Sequence, residues 1–159
     1  MFLSSPSEAV AEPRGADVLF PVASGTGTTR GVAHPPSSGP FAGLIIAHGR
    51  SNDLRHPFVR RLAGTAANHG IWALRFNFRY VDEKGRASRD LSREEDDLCG
   101  AVAFARDAIP DVPIFVAGKS MGARVCARAS SEPAIAGVIA LGYPLHPKFQ
   151  PQVTDPPEW

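Results

Sequence analysis

The sequence predicts an α/β fold, in which a mostly parallel sheet is flanked by helices. Apolar runs and helix-type patterns alternate from residue 43 onward, with short connections between them. Between Gly43 and His48 the run is apolar without alternation, which is typical of a strand covered on both faces. The chain has 159 residues, 43% of them hydrophobic and 21% charged, and this composition suits one soluble globular domain with a substantial core.

Six strands are predicted from short apolar or β-branched runs bounded by turn residues. In chain order they are Val18–Val22, Thr28–Ala33, Gly43–His48, Ile71–Phe76, Val112–Val116 and Ala136–Leu141. The first two flank the glycine turn Ser24–Gly27, so we expect them to form an antiparallel pair of edge strands.

Three helices are predicted between the later strands. The first opens at His56-Pro57, with proline in its first turn, and ends at Gly70. The second begins with a capping box at Ser92–Glu95 and stops before Pro110. The third follows Ser120 directly. Residues 1–15 are predicted to be a flexible lead-in, 16–148 the domain, and 149–159 a proline-rich tail.

Composition argues against several classes of function. The chain has 17 basic and 16 acidic residues and a net charge of +1, so no overall field attracts nucleic acid or an anionic membrane. No apolar run is long enough to cross a membrane, and the N-terminus lacks the pattern of a secretory signal. Cys99 and Cys126 fall in apolar helical patterns that favour buried thiols and a cytoplasmic location. No histidine and cysteine spacing matches a metal site, and no cofactor is expected.

The candidate catalytic feature is Gly118-Lys-Ser-Met-Gly122, which lies between an apolar run and a helical pattern. In a nucleophile elbow the serine occupies a strained strand-to-helix turn, and the two glycines let strand and helix approach closely. Ser120 is therefore the candidate nucleophile, and the N–H of Met121 is a candidate oxyanion donor. The alternative is an ordinary turn serine that caps a helix.

Four segments in register carry a family resemblance: His48-Gly49, the elbow Gly118–Gly122, Arg75–Phe78 with Tyr80, and Gly142–Pro147. Together they resemble the α/β-hydrolase-fold family of dienelactone-hydrolase-like proteins. Within it they are similar to the branch grouped with a testis-expressed protein and with a subunit of the nonspecific-lethal acetyltransferase complex. The resemblance implies a sheet of eight strands, with the nucleophile after the fifth, an acid after the seventh and a histidine after the eighth.

On that map the chain lacks the last two strands and the catalytic acid and histidine that follow them. After Ser120 the acids are Glu132, Asp155 and Glu158, and the histidine is His146. Only Glu132 keeps the chain order of serine, acid and histidine, and the helix after Ser120 would carry it away from the serine at about 1.5 Å per residue. An intact triad is therefore not expected.

Other residues at the same edge of the sheet have roles left open. The His48-Gly49 turn is expected to shape the site and to present the Arg50 N–H as a second oxyanion donor. Arg75 and Arg79 either bind an anionic substrate group or form surface ion pairs. His146 is a candidate substitute base or a lining residue. Lys119 either tunes the serine, faces solvent, or pairs with Asp90 or Asp97. His34 and His69 are predicted to lie at the surface.

Two functions remain open at this point. The first is a serine hydrolase of the esterase or acyl-hydrolase type, acting on a small ester-like substrate. The second is a non-catalytic hydrolase-fold scaffold that binds a protein partner or a small ligand. Because an incomplete sheet exposes an edge strand, self-association through that edge is also expected.

Overall fold

The computed structural model describes residues 15–146 and 151–152. The predicted lead-in before Gly15 and most of the predicted tail lie outside this range. The strands are β1 Ala16–Pro21, β2 Thr28–His34, β3 Ala42–Ala47, β4 Ile71–Phe76, β5 Ile114–Lys119 and β6 Gly137–Leu141. The helices are α1 Pro57–Asn68, α2 Arg79–Asp82, α3 Ser92–Ala108 and α4 Met121–Arg128, followed by a 3₁₀ turn at Ala129–Ser131.

The six strands form one sheet in the order β1-β2-β4-β3-β5-β6. The neighbours β4, β3, β5 and β6 run parallel, while β2 is antiparallel to both β1 and β4. The predicted α/β class, the six strands and the antiparallel first pair are confirmed. The prediction that β2 is an edge strand is wrong, because β4 pairs along its other side.

Helices cover both faces of the sheet and divide its core into two clusters. Strand β3 contributes to both, since Ile45 and Ala47 face the larger cluster with α3 and α4, whereas Leu44 and Ile46 face the smaller cluster with α1. All six residues of β3 are buried. The unbroken apolar run that begins at Gly43 therefore reflects burial on two faces, as predicted.

The capping box predicted at Ser92–Glu95 does not form. Leu91 is the N-cap residue of α3, with φ 61°, and its carbonyl accepts the N–H of Glu95 at 3.0 Å. The Ser92 hydroxyl donates instead to Asp90 at 2.9 Å. Leu91 is only 2% exposed, so burial of its side chain in the core sets the start of the helix.

The edges of the described sheet are β1 and β6. Strand β6 pairs with β5 alone, and Ile139 within it is 44% exposed. Among the described helices, none is long and apolar enough to cross a membrane. Cys126 is buried and Cys99 is half-buried, and both are free thiols.

Candidate active site

Ser120 occupies the sharp connection between β5 and α4. Its backbone adopts φ 54° and ψ −113°, a combination that L residues rarely adopt, and the residue is exposed. Two hydrogen bonds hold this geometry, because the Ser120 N–H donates to the carbonyl of Leu141 at 3.0 Å and its carbonyl accepts the N–H of Ala123 at 3.0 Å. The strain is thus imposed by both β6 and α4.

The two glycines of the elbow lie where any side chain would collide with backbone. A Cβ on Gly118 would lie 2.2 Å from the carbonyl carbon of Gly122, across the turn. A Cβ on Gly122 would lie 2.6 Å from the carbonyl oxygen of Ala47, at the end of β3. The spacing of glycine, serine and glycine is therefore required by the close approach of α4 to β5 and β3.

Met121 is the first residue of α4. Backbone N–H groups in the first turn of a helix have no partner within the helix and point out of its N-terminal end. The positive end of the helix dipole adds to their attraction for negative charge. An oxyanion-stabilising role for the Met121 N–H stays a prediction.

The Gly49–Arg50 turn lies against Ser120. A Cβ on Gly49 would lie 3.8 Å from Ser120 Cβ and 3.4 Å from the carbonyl oxygen of Lys119. Glycine at this position lets the turn approach the serine. The Arg50 backbone follows immediately, at the edge of the sheet where the parallel strands β3, β4 and β5 end.

Three hydrogen bonds fix this turn. The Gly49 carbonyl accepts from the N–H of Asn52 at 3.1 Å and from Nδ1 of His48 at 2.7 Å. The Tyr80 hydroxyl donates to the carbonyl of Arg50 at 2.7 Å. Burial raises the pKa of Tyr80 to about 12, with a further contribution from Glu94, so this hydroxyl keeps its proton.

His48 is fully buried and both of its ring nitrogens are occupied inside the protein. Nε2 accepts the N–H of Phe78 at 3.2 Å, and Nδ1 therefore carries the proton given to Gly49. Burial lowers the pKa of His48 from 6.5, which keeps the ring neutral. The ring thereby links Phe78, the N-cap residue of α2, to the turn beside Ser120, and its site-shaping role stays a prediction.

Arg75 in β4 and Arg79, the first residue of α2, are both engaged within the protein. Arg75 donates from Nε to His34 at 2.9 Å and from a terminal nitrogen to the Leu54 carbonyl at 2.6 Å. Its role toward substrate stays a prediction. His34 is 5% exposed, so the prediction that it lies at the surface is wrong. His69 is exposed, as predicted.

Arg79 forms a buried ion pair and not the surface pairs that were considered. Its Nε contacts Asp97, and a terminal nitrogen lies 2.8 Å from Asp96. Asp96 in turn accepts the Ser24 N–H at 2.7 Å, which ties α3 to the first hairpin. Burial raises the pKa of Asp97 to about 6 despite the opposing charge of Arg79. These contacts engage Nε and one terminal nitrogen of Arg79 with carboxylates of α3. A role of Arg79 toward a substrate anion stays a prediction.

Two other predicted residues lie farther along the chain. His146 is exposed and follows β6, after a turn at Gly142 with φ 59°. Glu132 follows the 3₁₀ turn that continues α4, at the end opposite Ser120. Lys119 is the half-buried last residue of β5, and its side-chain role stays a prediction.

Sequence reasoning missed the loop that supports the turn. The side chain of Asn77 accepts the N–H of Leu54 at 2.8 Å and donates to Asp82 at 3.0 Å. Asn52 lies at Gly49, where a Cβ would be 3.4 Å from its side-chain nitrogen. Polar residues in loops carry no periodic signal, so only their position after a strand end could have indicated them.

Comparison with solved structures of other proteins supports the fold. The structure is similar to an α/β serine hydrolase without lid from Xanthomonas campestris, with TM-score 0.73 and 23% identity over 83% of this chain and 62% of that chain. It is also similar to a dienelactone hydrolase from Anabaena variabilis, with TM-score 0.70 and 19% identity over 82% and 63%. An esterase from Pyrococcus furiosus matches with TM-score 0.69 and 21% identity over 84% and 52%.

At these identities the likeness shows the fold, and the chain spans less than two thirds of the length of each of these three proteins. The family model described as an alpha/beta hydrolase domain matches residues 40–155. The matched region contains the turn at His48-Gly49 and the elbow around Ser120. The chain therefore belongs to the alpha/beta hydrolase domain family.

Proposed function

We propose that this chain carries the nucleophile of a serine hydrolase that acts on small ester-like substrates. The observation that carries the proposal is the backbone of Ser120, which is strained at φ 54° and ψ −113° and leaves the residue exposed at the end of β5. We also propose that the chain is related to the dienelactone-hydrolase-like branch that includes the testis-expressed protein. Hydrolysis of a small molecule without a cofactor is consistent with both the serine nucleophile and this relation.

In the proposed reaction the Ser120 oxygen attacks the ester carbonyl, and the hydroxyl proton passes to a general base. The carbonyl oxygen becomes an oxyanion, which the N–H groups of Met121 and Arg50 stabilise. Collapse of this intermediate expels the alcohol and leaves an acyl group on Ser120. Water then attacks the acyl group, releases the acid and restores the serine.

The general base is the part of the proposal that the described site does not supply. His48 is buried with both nitrogens engaged, so it cannot accept the proton of an exposed hydroxyl. Within the sequence the remaining candidate after Ser120 is His146. A histidine from a segment or partner outside the printed sequence is the alternative source.

The second candidate function is a non-catalytic scaffold that binds a partner or small ligand in the same place. It is favoured by one observation: within residues 15–146 and 151–152, the Ser120 hydroxyl has no hydrogen-bond partner. A serine without an adjacent base is a weak nucleophile.

Labelling with a fluorophosphonate probe decides between the two functions. The purified 159-residue chain is compared with Ser120→Ala and with Ser130→Ala, a matched loss of an exposed serine beyond α4. Labelling that disappears in Ser120→Ala and persists in Ser130→Ala supports the hydrolase. No labelling of a chain that unfolds cooperatively would contradict it for this chain and support the scaffold.

A further inference from the structure

A polar cleft lies beside the Gly49–Arg50 turn, with a volume of about 470 Å³. Its polar lining consists of Ser51, Asn52, Asp53, His56, Tyr80 and Lys84. Tyr80 is also the residue whose hydroxyl binds the Arg50 carbonyl, so the cleft adjoins the turn that lies against Ser120.

Three of the six polar side chains around the cleft form hydrogen bonds that hold its walls. Asp53 accepts the N–H of Arg55 at 2.7 Å, and His56 accepts the N–H of Phe58 at 3.3 Å to cap α1. Tyr80 is committed to Arg50. These three residues therefore help to shape the cleft.

The carboxamide of Asn52 differs from these groups. It is half-buried, and in the part of the chain that the structure describes it has no hydrogen-bond partner. No buried polar atom there lacks a partner, so this amide remains accessible to solvent or a ligand. Its nitrogen and Ser120 Cβ flank the same glycine, at 3.4 Å and 3.8 Å from a Cβ placed on Gly49.

We infer that Asn52 is a specificity-determining residue whose carboxamide binds a hydroxyl or similar polar group on the acyl part of an ester held at Ser120. This inference rests on the proposed function for the orientation of the ester. The substrate class is a short acyl ester with a polar substituent next to the carbonyl. An alkyl substituent in the same place would leave the amide desolvated and unpaired.

The test measures binding without chemistry. The Ser120→Ala chain is titrated with methyl lactate and with methyl isobutyrate, which differ by a hydroxyl in place of a methyl group. The readout is the side-chain amide resonance of Asn52 in ¹⁵N–¹H spectra. We expect methyl lactate to shift this resonance and to bind about fivefold more tightly than methyl isobutyrate, the gain of one net hydrogen bond.

Substitutions assign the preference to Asn52. Asn52→Ala is expected to remove the preference, and Asn52→Leu, of similar volume, to reverse it in favour of methyl isobutyrate. Asn68→Ala, an exposed asparagine at the end of α1, should leave both affinities unchanged. Equal binding of the two esters, a preference that survives Asn52→Ala, or no binding of either ester would overturn the inference.

Because Ser120 is absent from the titrated chain, these outcomes do not depend on its reactivity. Failure of the fluorophosphonate experiment with success here would mean a ligand-binding cleft beside an inactive serine. The reverse result would mean a reactive serine whose acyl group lies elsewhere.

Discussion

Replacing Gly118 by alanine should destabilise the protein through a clash between backbones. The new Cβ would lie 2.2 Å from both the carbonyl carbon and the oxygen of Gly122 and 2.5 Å from the N–H nitrogen of Ala123. Rotation of a side chain cannot relieve these contacts, so β5 and α4 must separate. We expect a loss near the upper end of the overpacking range, about 3 kcal/mol. For a chain of this size that corresponds to a fall in Tm of roughly 6–12 °C.

Urea unfolding of matched glycine variants separates the clash from other effects. Gly39→Ala adds a methyl group with nothing within 4 Å and an ordinary φ, so it should change stability by no more than about 0.5 kcal/mol. Gly25→Ala also meets open space but at φ +72°, and should cost about 1–2 kcal/mol from backbone strain alone. If Gly118→Ala proved as stable as Gly39→Ala, the reasoning about the elbow would be wrong.

Three further predictions concern the turn, its buried histidine and the sheet edge. Tyr80→Phe removes the hydrogen bond to Arg50 and should cost about 1 kcal/mol in unfolding free energy, and an unchanged value would contradict the role of that bond. Since burial lowers the pKa of His48 below 6.5, the unfolded chain binds the proton first as the pH falls; stability from this group is full above pH 6.5 and is lost below it. Urea unfolding at several pH values should show a smaller acid loss for His48→Asn, and an identical loss would refute the assignment. Ile139→Lys, at a position 44% exposed on β6, should reduce concentration-dependent self-association in size-exclusion chromatography; a wild-type chain that elutes as a monomer at every concentration would count against association through this edge.

Sequence patterns predicted the elements because their causes are local. The run from Gly43 indicated a strand buried on two faces, and the spacing of Gly118, Ser120 and Gly122 indicated a strand-to-helix turn. Both features depend on neighbouring residues, so a single sequence carries them. His56 as the N-cap of α1 follows in the same way from the proline after it.

The errors arose where a distant contact decided the outcome. Ser92 had the local signature of an N-cap. Because Leu91 is buried in the core, the N-cap is instead Leu91, one residue earlier. His34 is followed by prolines and polar residues, yet Arg75, 41 positions away, donates to it in the interior. Arg79 was predicted either to form surface ion pairs or to bind an anionic substrate group. In the structure it pairs with Asp96 and Asp97 of α3.

By itself the sequence determined the α/β class, the order of its elements and the position of the tight strand-to-helix turn at Ser120, because periodicity and glycine spacing are properties of adjacent residues. Only the tertiary structure decided that β2 pairs with both β1 and β4, and that the Gly49–Arg50 turn lies against Ser120. It also decided that Asn52 faces the cleft with its amide free, within the described residues. These relations join segments tens of residues apart, and burial of apolar surface, not local conformation, selects which of them meet.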